Sequence, residues 1–175
     1  MPRLPPLDDY RRPFVVPIGH MAMQAARVDN LLIELIATVP RPPNPQPGIA
    51  EVGARLRNWG PDQAHYVEET LALVEVDAVR AQALLLVDRF TALRDLRHRA
   101  VHDAIEVGIF PTEDGKWQGR AISVGYLKPK HGQPRQAISQ VSVESIVHLA
   151  MQLYALGQEI EDVLYALRFD RQNVS

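Results

Sequence analysis

Apolar residues recur every three to four positions in most of this chain, which predicts amphipathic helices. The expected helices cover residues 18–38, 49–59, 63–74, 77–104 and 143–168. The stretch 77–104 gives the strongest signal. Its expected core positions are Val79, Ala83, Leu86, Phe90 and Leu93, widened by Leu84, Leu85, Val87 and Leu96.

Between residues 105 and 141 the pattern changes to the alternation that is typical of strands. Strands are expected over 105–110 and 120–126, with a third short strand over 136–141. Turns are expected over 111–115 and 128–134. The pattern therefore predicts a mainly α fold, a helical bundle with a small antiparallel β hairpin inserted before the last helix.

Prolines and capping residues mark the ends of these elements. Five prolines in residues 1–17 predict an extended, proline-rich N-terminal arm, followed by a single helical domain over 18–175. Five more in 40–48 predict a stiff surface connector, favoured over a ligand for an SH3-type domain. Asp62 and Ser142 are expected N-caps. Gly157 predicts the close approach of another helix.

The amino-acid composition excludes several classes of protein for this chain. The chain has 175 residues, 46% of them apolar, and a formal net charge of −2, so nucleic acid would have to bind a local basic patch. There is no cysteine, which excludes disulfides and cysteine-ligated zinc. No apolar run reaches the roughly 20 residues of a membrane span, and no signal peptide is evident. We expect a soluble, cytoplasmic protein without a membrane partner.

The candidate chemistry lies at the end of the strongest predicted helix, in the sequence RDLRHRAVHD of residues 94–103. Basic residues suit the last turn of a helix, where the dipole is negative. That effect explains one or two arginines. It explains less well a histidine pair four residues apart with arginines around it.

Residues 97–102, RHRAVH, fit the pattern of an arginine, a polar residue, any three residues and a histidine. This resembles the active-site motif of the HEPN superfamily, helical-bundle proteins that include metal-independent RNases. The resemblance covers residues 18–168, of which 94–103 is specific. It implies a HEPN-like bundle, an endoribonuclease of defence or toxin–antitoxin systems, and a homodimer with both motif copies in one cleft. It implies no cofactor and no metal, and an antitoxin or nucleotidyltransferase-like partner.

Three positions depart from the family pattern. His98 stands where many members have asparagine, and Asp103 where many have glycine. Toxins that pair with nucleotidyltransferase antitoxins carry a tyrosine where this chain has Ala104. This last difference argues against regulation of that kind.

The residue types suit RNA cleavage without metal. A base must take the proton of the 2′-hydroxyl, an acid must protonate the leaving 5′-oxygen, and a cation must stabilise the phosphorane. Histidine serves as base or acid, and arginine binds phosphate oxygens through a fork of donors. We expect His102 as acid–base, Arg97 as phosphate clamp, and His98 as orienting group or second acid–base.

Other basic and aromatic residues are candidates for RNA contact. Arg94 and Arg99 flank the motif, and a basic turn follows the second strand. The expected RNA-binding residues are Arg94, Arg99, Lys128, Lys130 and Arg135, with His131 in the same turn. Aromatic residues that could stack on a base are Trp59, Trp117 and Tyr126.

Geometry and alternative roles remain open at this point. Five residues of helix turn through about 500°, which leaves Arg97 and His102 about 140° apart. Either the helix unwinds before His102 or two chains build a composite site. Arg97 could instead be a buried arginine paired with Glu34 or Asp29. His102 could cap the helix, or bind a metal together with His98.

Two other functions compete with the enzyme. One is a non-catalytic HEPN-like module that binds RNA, a nucleotide or a partner protein. The other is a structural helical dimer in which the motif forms a buried ion-pair network. The complete polar motif favours the enzyme over the non-catalytic module, but it does not decide whether the chain is an enzyme.

Overall fold

The computed structural model describes residues 9, 11–41, 43–130 and 133–173. Within them the order of elements confirms a mainly helical fold with a small antiparallel sheet before the last helix. After a 3₁₀ turn at Arg12–Phe14 come α1 (Val15–Thr38), α2 (Ile49–Leu56), α3 (Pro61–Leu71), α4 (Asp77–His102), β1 (Ala104–Pro111), β2 (Trp117–Lys130), β3 (Gln133–Gln140) and α5 (Val143–Asn173).

The chain groups into two compact units. The sheet unit comprises residues 1–23 and 94–151, and the helical unit comprises 24–93 and 152–175. Helices α1, α4 and α5 each contribute residues to both units. For that reason the expected single domain over 18–175 stays a prediction.

The core of the helical unit is formed by the apolar faces of its helices. Its most deeply buried large side chains are Val28, Leu35, Ile36, Val39, Val52, Val67, Leu71, Leu86, Leu156, Ile160 and Val163. Each fully buried aliphatic side chain contributes about 1.5–3 kcal/mol to folding. Gly157 of α5 confirms a close approach, since an added Cβ would lie 3.0 Å from Nη1 of Arg27 and 3.6 Å from Cδ1 of Leu31 in α1.

The sheet unit contains a three-stranded antiparallel meander in the order β1-β2-β3. Ala104 pairs with Val124 across β1 and β2, and Ile122 pairs with Gln140 across β2 and β3. The predicted turn over 128–134 is wrong in extent. Strand β2 continues to Lys130, which pairs with Gln133 at the start of β3, and the register shifts between Leu127 and Lys130.

Strand β1 follows α4 almost directly and is hydrogen-bonded to the N-terminal segment. Asp103 alone separates α4 from β1. In the N-terminal segment, the Nε of Arg11 donates to the carbonyl of Ile105 (2.9 Å), and its Nη2 donates to the carboxylate of Glu106 (2.8 Å). The segment before α1 is therefore bonded to β1.

Several local expectations are corrected. Helix α1 begins at Val15, so residues 12–17 are not extended; Pro17 is tolerated because first-turn N–H groups need no helical acceptor. Helix α3 begins at Pro61 with Gly60 as its N-cap, so Asp62 lies in the first turn instead of capping it. Leu85 and Leu96 are exposed and lie off the core face of α4.

Within the described residues, no helix combines the length and the apolar character that crossing a membrane would require.

Candidate functional site

The last turns of α4, from Arg94 onward, belong to the sheet unit and follow the buried stripe of that helix in sequence. The stripe of buried residues ends at Leu93, and Leu96 is 54% exposed. The helix nevertheless stays regular, because the N–H of Asp103 bonds the carbonyl of Arg99 at 2.9 Å. Of the two alternatives for bringing Arg97 and His102 together, unwinding of the helix before His102 is therefore not observed. Arg97 and His102 remain about 140° apart around the axis.

His98 and His102 form a pair on the exposed surface of α4. Their ring centroids are 4.5 Å apart and the ring planes are inclined by 43°. Both side chains are exposed. A spacing of four residues places them on one helix face, one turn apart. Two groups that can carry or release a proton thus stand side by side and are open to a ligand.

Arg94 lies one turn before His98 on the same face. It is half-buried, and no residue in the described ranges forms an ion pair or hydrogen bond with its guanidinium. We call Arg94, His98 and His102 the histidine face. It offers one cation and two imidazoles from a single stretch of helix.

Arg99 points to a different set of partners. Its Nε lies 3.3 Å from Oδ2 of Asp103, and its Nη2 donates to the hydroxyl of Ser139 at 3.1 Å. The Ser123 hydroxyl donates to the same Asp103 oxygen at 2.7 Å. These contacts attach the last turn of α4 to β2 and β3. Arg99 therefore has a positioning role, and its expected RNA contact stays a prediction.

Gly125 lies directly against the Asp103 carboxylate. A Cβ at this position would lie within 2.7 Å of Cγ and Oδ2 of the Asp103 carboxylate. The Asp103 side chain is only 12% exposed. The carboxylate fits against the β2 backbone because residue 125 has no side chain.

Arg97 is half-buried, as expected for a residue that continues the core stripe of α4. Glu34, one of the two acids considered as its partner, forms an ion pair with Arg168 of α5. The clamp role of Arg97 stays a prediction.

The predicted basic turn is partly built into strands. Lys128 and Lys130 belong to β2, and Arg135 belongs to β3. The side chains of these three residues, and the whole of His131, lie outside the described part of the structure. Strand β1 begins at Ala104, opposite Val124. The residues of β2 after Val124 therefore extend beyond the start of β1, at the end of the sheet next to α4. Lys128 follows Gly125 by three residues, or about 10 Å of strand. The backbone thus brings these basic positions to the sheet end that Asp103 touches.

The aromatic candidates differ in accessibility. Trp59 packs edge-on against Phe90 with ring centroids 4.8 Å apart, which suits a core role. Trp117 is 72% exposed at the start of β2. The side chain of Tyr126 lies outside the described residues.

The contacts of Asp103 were not found from the sequence. The alternation in β2 puts Ser123 and Gly125 on one face, opposite Ile122 and Val124. A serine and a glycine among the apolar residues of the 121–127 stretch are a signal of a close polar contact. Their partner could not be named, because it depends on how the end of α4 meets the sheet.

Within the ranges that the structure covers, no three histidine, cysteine, aspartate or glutamate side chains group together in a way that could hold a metal ion.

Comparison with known proteins leaves the family open. No protein-family model matches the chain, and no curated protein or solved structure matches it. Membership of the HEPN superfamily, expected from residues 97–102, stays a prediction.

Proposed function

We propose that this chain is a metal-independent endoribonuclease of HEPN type in which His98 and His102 transfer protons. The observation that carries the proposal is the pair of exposed imidazole rings, 4.5 Å apart on the last turns of α4. Two imidazoles at this spacing can contact one phosphodiester group. Basic residues around them suit a polyanion despite the net charge of −2.

The chemistry uses one ring as base and the other as acid. The neutral imidazole accepts the proton of the ribose 2′-hydroxyl while the 2′-oxygen attacks phosphorus. The protonated imidazole donates its proton to the 5′-oxygen as the P–O5′ bond breaks. The products are a 2′,3′-cyclic phosphate and a 5′-hydroxyl, and the two histidines have exchanged protonation states. Proton transfer of this kind contributes about 10²–10⁴-fold to a rate.

The cation for the phosphorane has two candidates. Arg94 shares the histidine face, so one chain can supply all three groups. Arg97 is turned about 100° away from His98, so it fits a composite site in which a second copy supplies the other half. The motif resemblance favours Arg97 in a homodimer, whereas the helix geometry favours Arg94 in one chain.

The first experiment is RNA cleavage in the presence of EDTA. His98→Gln and His102→Gln should each lower the rate by about 10²–10⁴-fold. His148→Gln, a change at another exposed histidine of the sheet unit, is the matched control and should cleave as the wild type does. Thermal melting of each sample shows whether the variants are folded. Cleavage that is unchanged in both motif variants contradicts the assignment.

A second experiment separates the two cations. Arg94→Gln should abolish cleavage if one chain supplies the site, and Arg97→Gln should do so if the site is composite. In the composite case, mixing Arg97→Gln with His102→Gln protein restores up to about a quarter of the activity, because half of a statistical mixture is heterodimer with one intact site. No restoration is expected when all groups come from one chain.

The same samples test the non-catalytic alternative. A module that only binds RNA retains labelled oligonucleotide in a gel shift and yields no cyclic phosphate at any enzyme concentration. A structural role instead lowers the melting temperature of the motif variants. The proposal also includes a role in defence or toxin–antitoxin systems and an antitoxin as partner. These two parts rest only on the resemblance of residues 97–102 to the HEPN motif.

A further inference from the structure

A second cluster of cations lies in the helical unit, beside an open depression of about 280 Å³. Its residues are Arg41, which follows α1, Arg55 of α2, and Tyr66 and Thr70 of α3. We call these four residues the paired-arginine site. They take no part in the chemistry of the histidine face.

Two hydrogen bonds position the guanidinium of Arg41 in this site. Its Nη2 donates to the hydroxyl of Tyr66 at 2.7 Å and to Oγ1 of Thr70 at 3.0 Å. Both acceptors are buried. Its Nε is buried and has no hydrogen-bond partner among the described residues. The guanidinium is thus placed by neutral hydroxyls, which leave its positive charge uncompensated.

Arg55 brings a second guanidinium to the same ring. Its Cζ lies 3.7 Å from the Tyr66 ring centroid, and that of Arg41 lies 4.9 Å from it. Cation–π contact with the ring offsets part of the cost of bringing two like charges together. Among the residues that the structure describes, none forms an ion pair with Arg41 or Arg55.

Among the described residues, one acidic residue lines the depression. Glu69 also lines the depression, and its Oε1 lies 3.1 Å from Nε2 of His65. The lining therefore carries two arginine charges against one carboxylate. The Tyr66 hydroxyl accepts from Arg41, and no described residue accepts its proton.

We propose that the paired-arginine site binds a phosphate group, with Arg55, Arg41 and the Tyr66 hydroxyl as donors. Arginine presents paired N–H groups that match phosphate oxygens, and an anion replaces the repulsion between the two guanidiniums with attraction. Arg55 already covers the ring of Tyr66, so the site recognises phosphate and not a stacked base. The phosphate can be a free monoester or the diester of a nucleic-acid backbone.

The test uses the full chain with Arg55→Gln and with Arg57→Gln as matched control. Arg57 is also exposed, lies two residues away and does not line the depression. The probes are inorganic phosphate and AMP, for a monoester, and a short RNA with 2′-deoxy positions and no terminal phosphate, for an uncleavable diester. Affinity is measured by calorimetry, with chloride held constant.

We expect Arg55→Gln to weaken binding about tenfold or more, the effect of losing a charge-assisted partner, while Arg57→Gln binds as the wild type does. Weakened phosphate and AMP binding identifies a monoester, and weakened RNA binding identifies a diester. Arg55→Lys should recover only part of the affinity, since lysine lacks the planar fork. If no probe binds, or if the two glutamine variants bind alike, the proposal is overturned.

Discussion

Asp103 connects the candidate chemistry to the rest of the sheet unit. Its Oδ2 accepts hydrogen bonds from the Ser123 hydroxyl and from Nε of Arg99. With only 12% of its side chain exposed, this carboxylate is shielded from water. The residue after His102 thus places the last turn of the helix on the sheet.

We predict that Asp103→Ala lowers the free energy of unfolding by about 1–3 kcal/mol, because it leaves two partly buried donors without their acceptor. Urea denaturation measures the change. Asp95→Ala is the control, since Asp95 is exposed on the same helix and no interaction of its side chain is seen in the described chain. Equal stability of the two variants would contradict the role given to Asp103.

For single residues, the sequence predicted which side chains share a helix face but not which side chains from other elements they contact. Residues four apart on a helix must share a face, so the pairing of His98 with His102 follows from counting. The distance of Arg97 from His102 follows in the same way. The contact of Asp103 with Ser123 spans 20 residues and depends on strand register, which no local pattern encodes.

Helix α5 shows how a local signal settles the start of an element. The N–H of Ser145 donates to the hydroxyl of Ser142, and the N–H of Ser142 donates to the hydroxyl of Ser145, both at 3.1 Å. The expected N-cap at Ser142 is thereby confirmed. The pKa of Glu144, in the first turn, is lowered by its own backbone N–H and by the Ser142 side chain.

We predict that Ser142→Ala costs about 1 kcal/mol of stability, the usual effect of losing an N-cap. Ser142→Asn should cost much less, because asparagine can accept the same hydrogen bond. Guanidinium denaturation of both variants compares the two losses. If asparagine costs as much as alanine, the cap does not stabilise the helix in the way we describe.

Other elements show where local signals fail. Asp62 has the chemistry of an N-cap, but Pro61 already suits the first helical position, so the helix begins two residues earlier than that role requires. Residues 128–134 read as a turn because they contain prolines and glycine. Pairing of Lys130 with Gln133 extends the strands into that stretch.

Ion pairs at the surface of the helical unit link its helices outside the apolar core. Arg27 of α1 lies 2.7 Å from Glu161 of α5, and Glu34 pairs with Arg168 between the same helices. Arg89 of α4 and Glu159 form a further pair. The amphipathic stripes predicted this packing of helices, whereas these long surface side chains gave no such signal.

We predict that the contribution of Glu161 to stability depends on pH. Hydrogen bonds from Gln158 and Arg27 lower the pKa of Glu161 below its usual value of 4.5. A lowered pKa gives stability that is fully present above pH 4.5 and is lost as the pH falls through the folded-state pKa. Because the side chain is 43% exposed, the effect is small.

Melting temperatures between pH 3 and 7 test this prediction, over about the range in which carboxylates titrate. The difference between the wild type and Glu161→Gln should be largest near neutrality and should close below pH 4.5. Glu68→Gln, at an exposed glutamate of α3, serves as the control and should melt as the wild type does throughout. A difference that widens in acid would reverse the sign of the effect.

The single residue between α4 and β1 also limits how this chain can vary in length. Inserting one residue there turns the preceding helix by about 100° relative to the strand, or exchanges the two faces of β1 if the helix stays in place. Neither outcome keeps both the histidine face and the sheet register. In natural variants of this protein, insertions and deletions should therefore collect in the 40–48 connector and the 112–116 turn and be rare between residues 98 and 108.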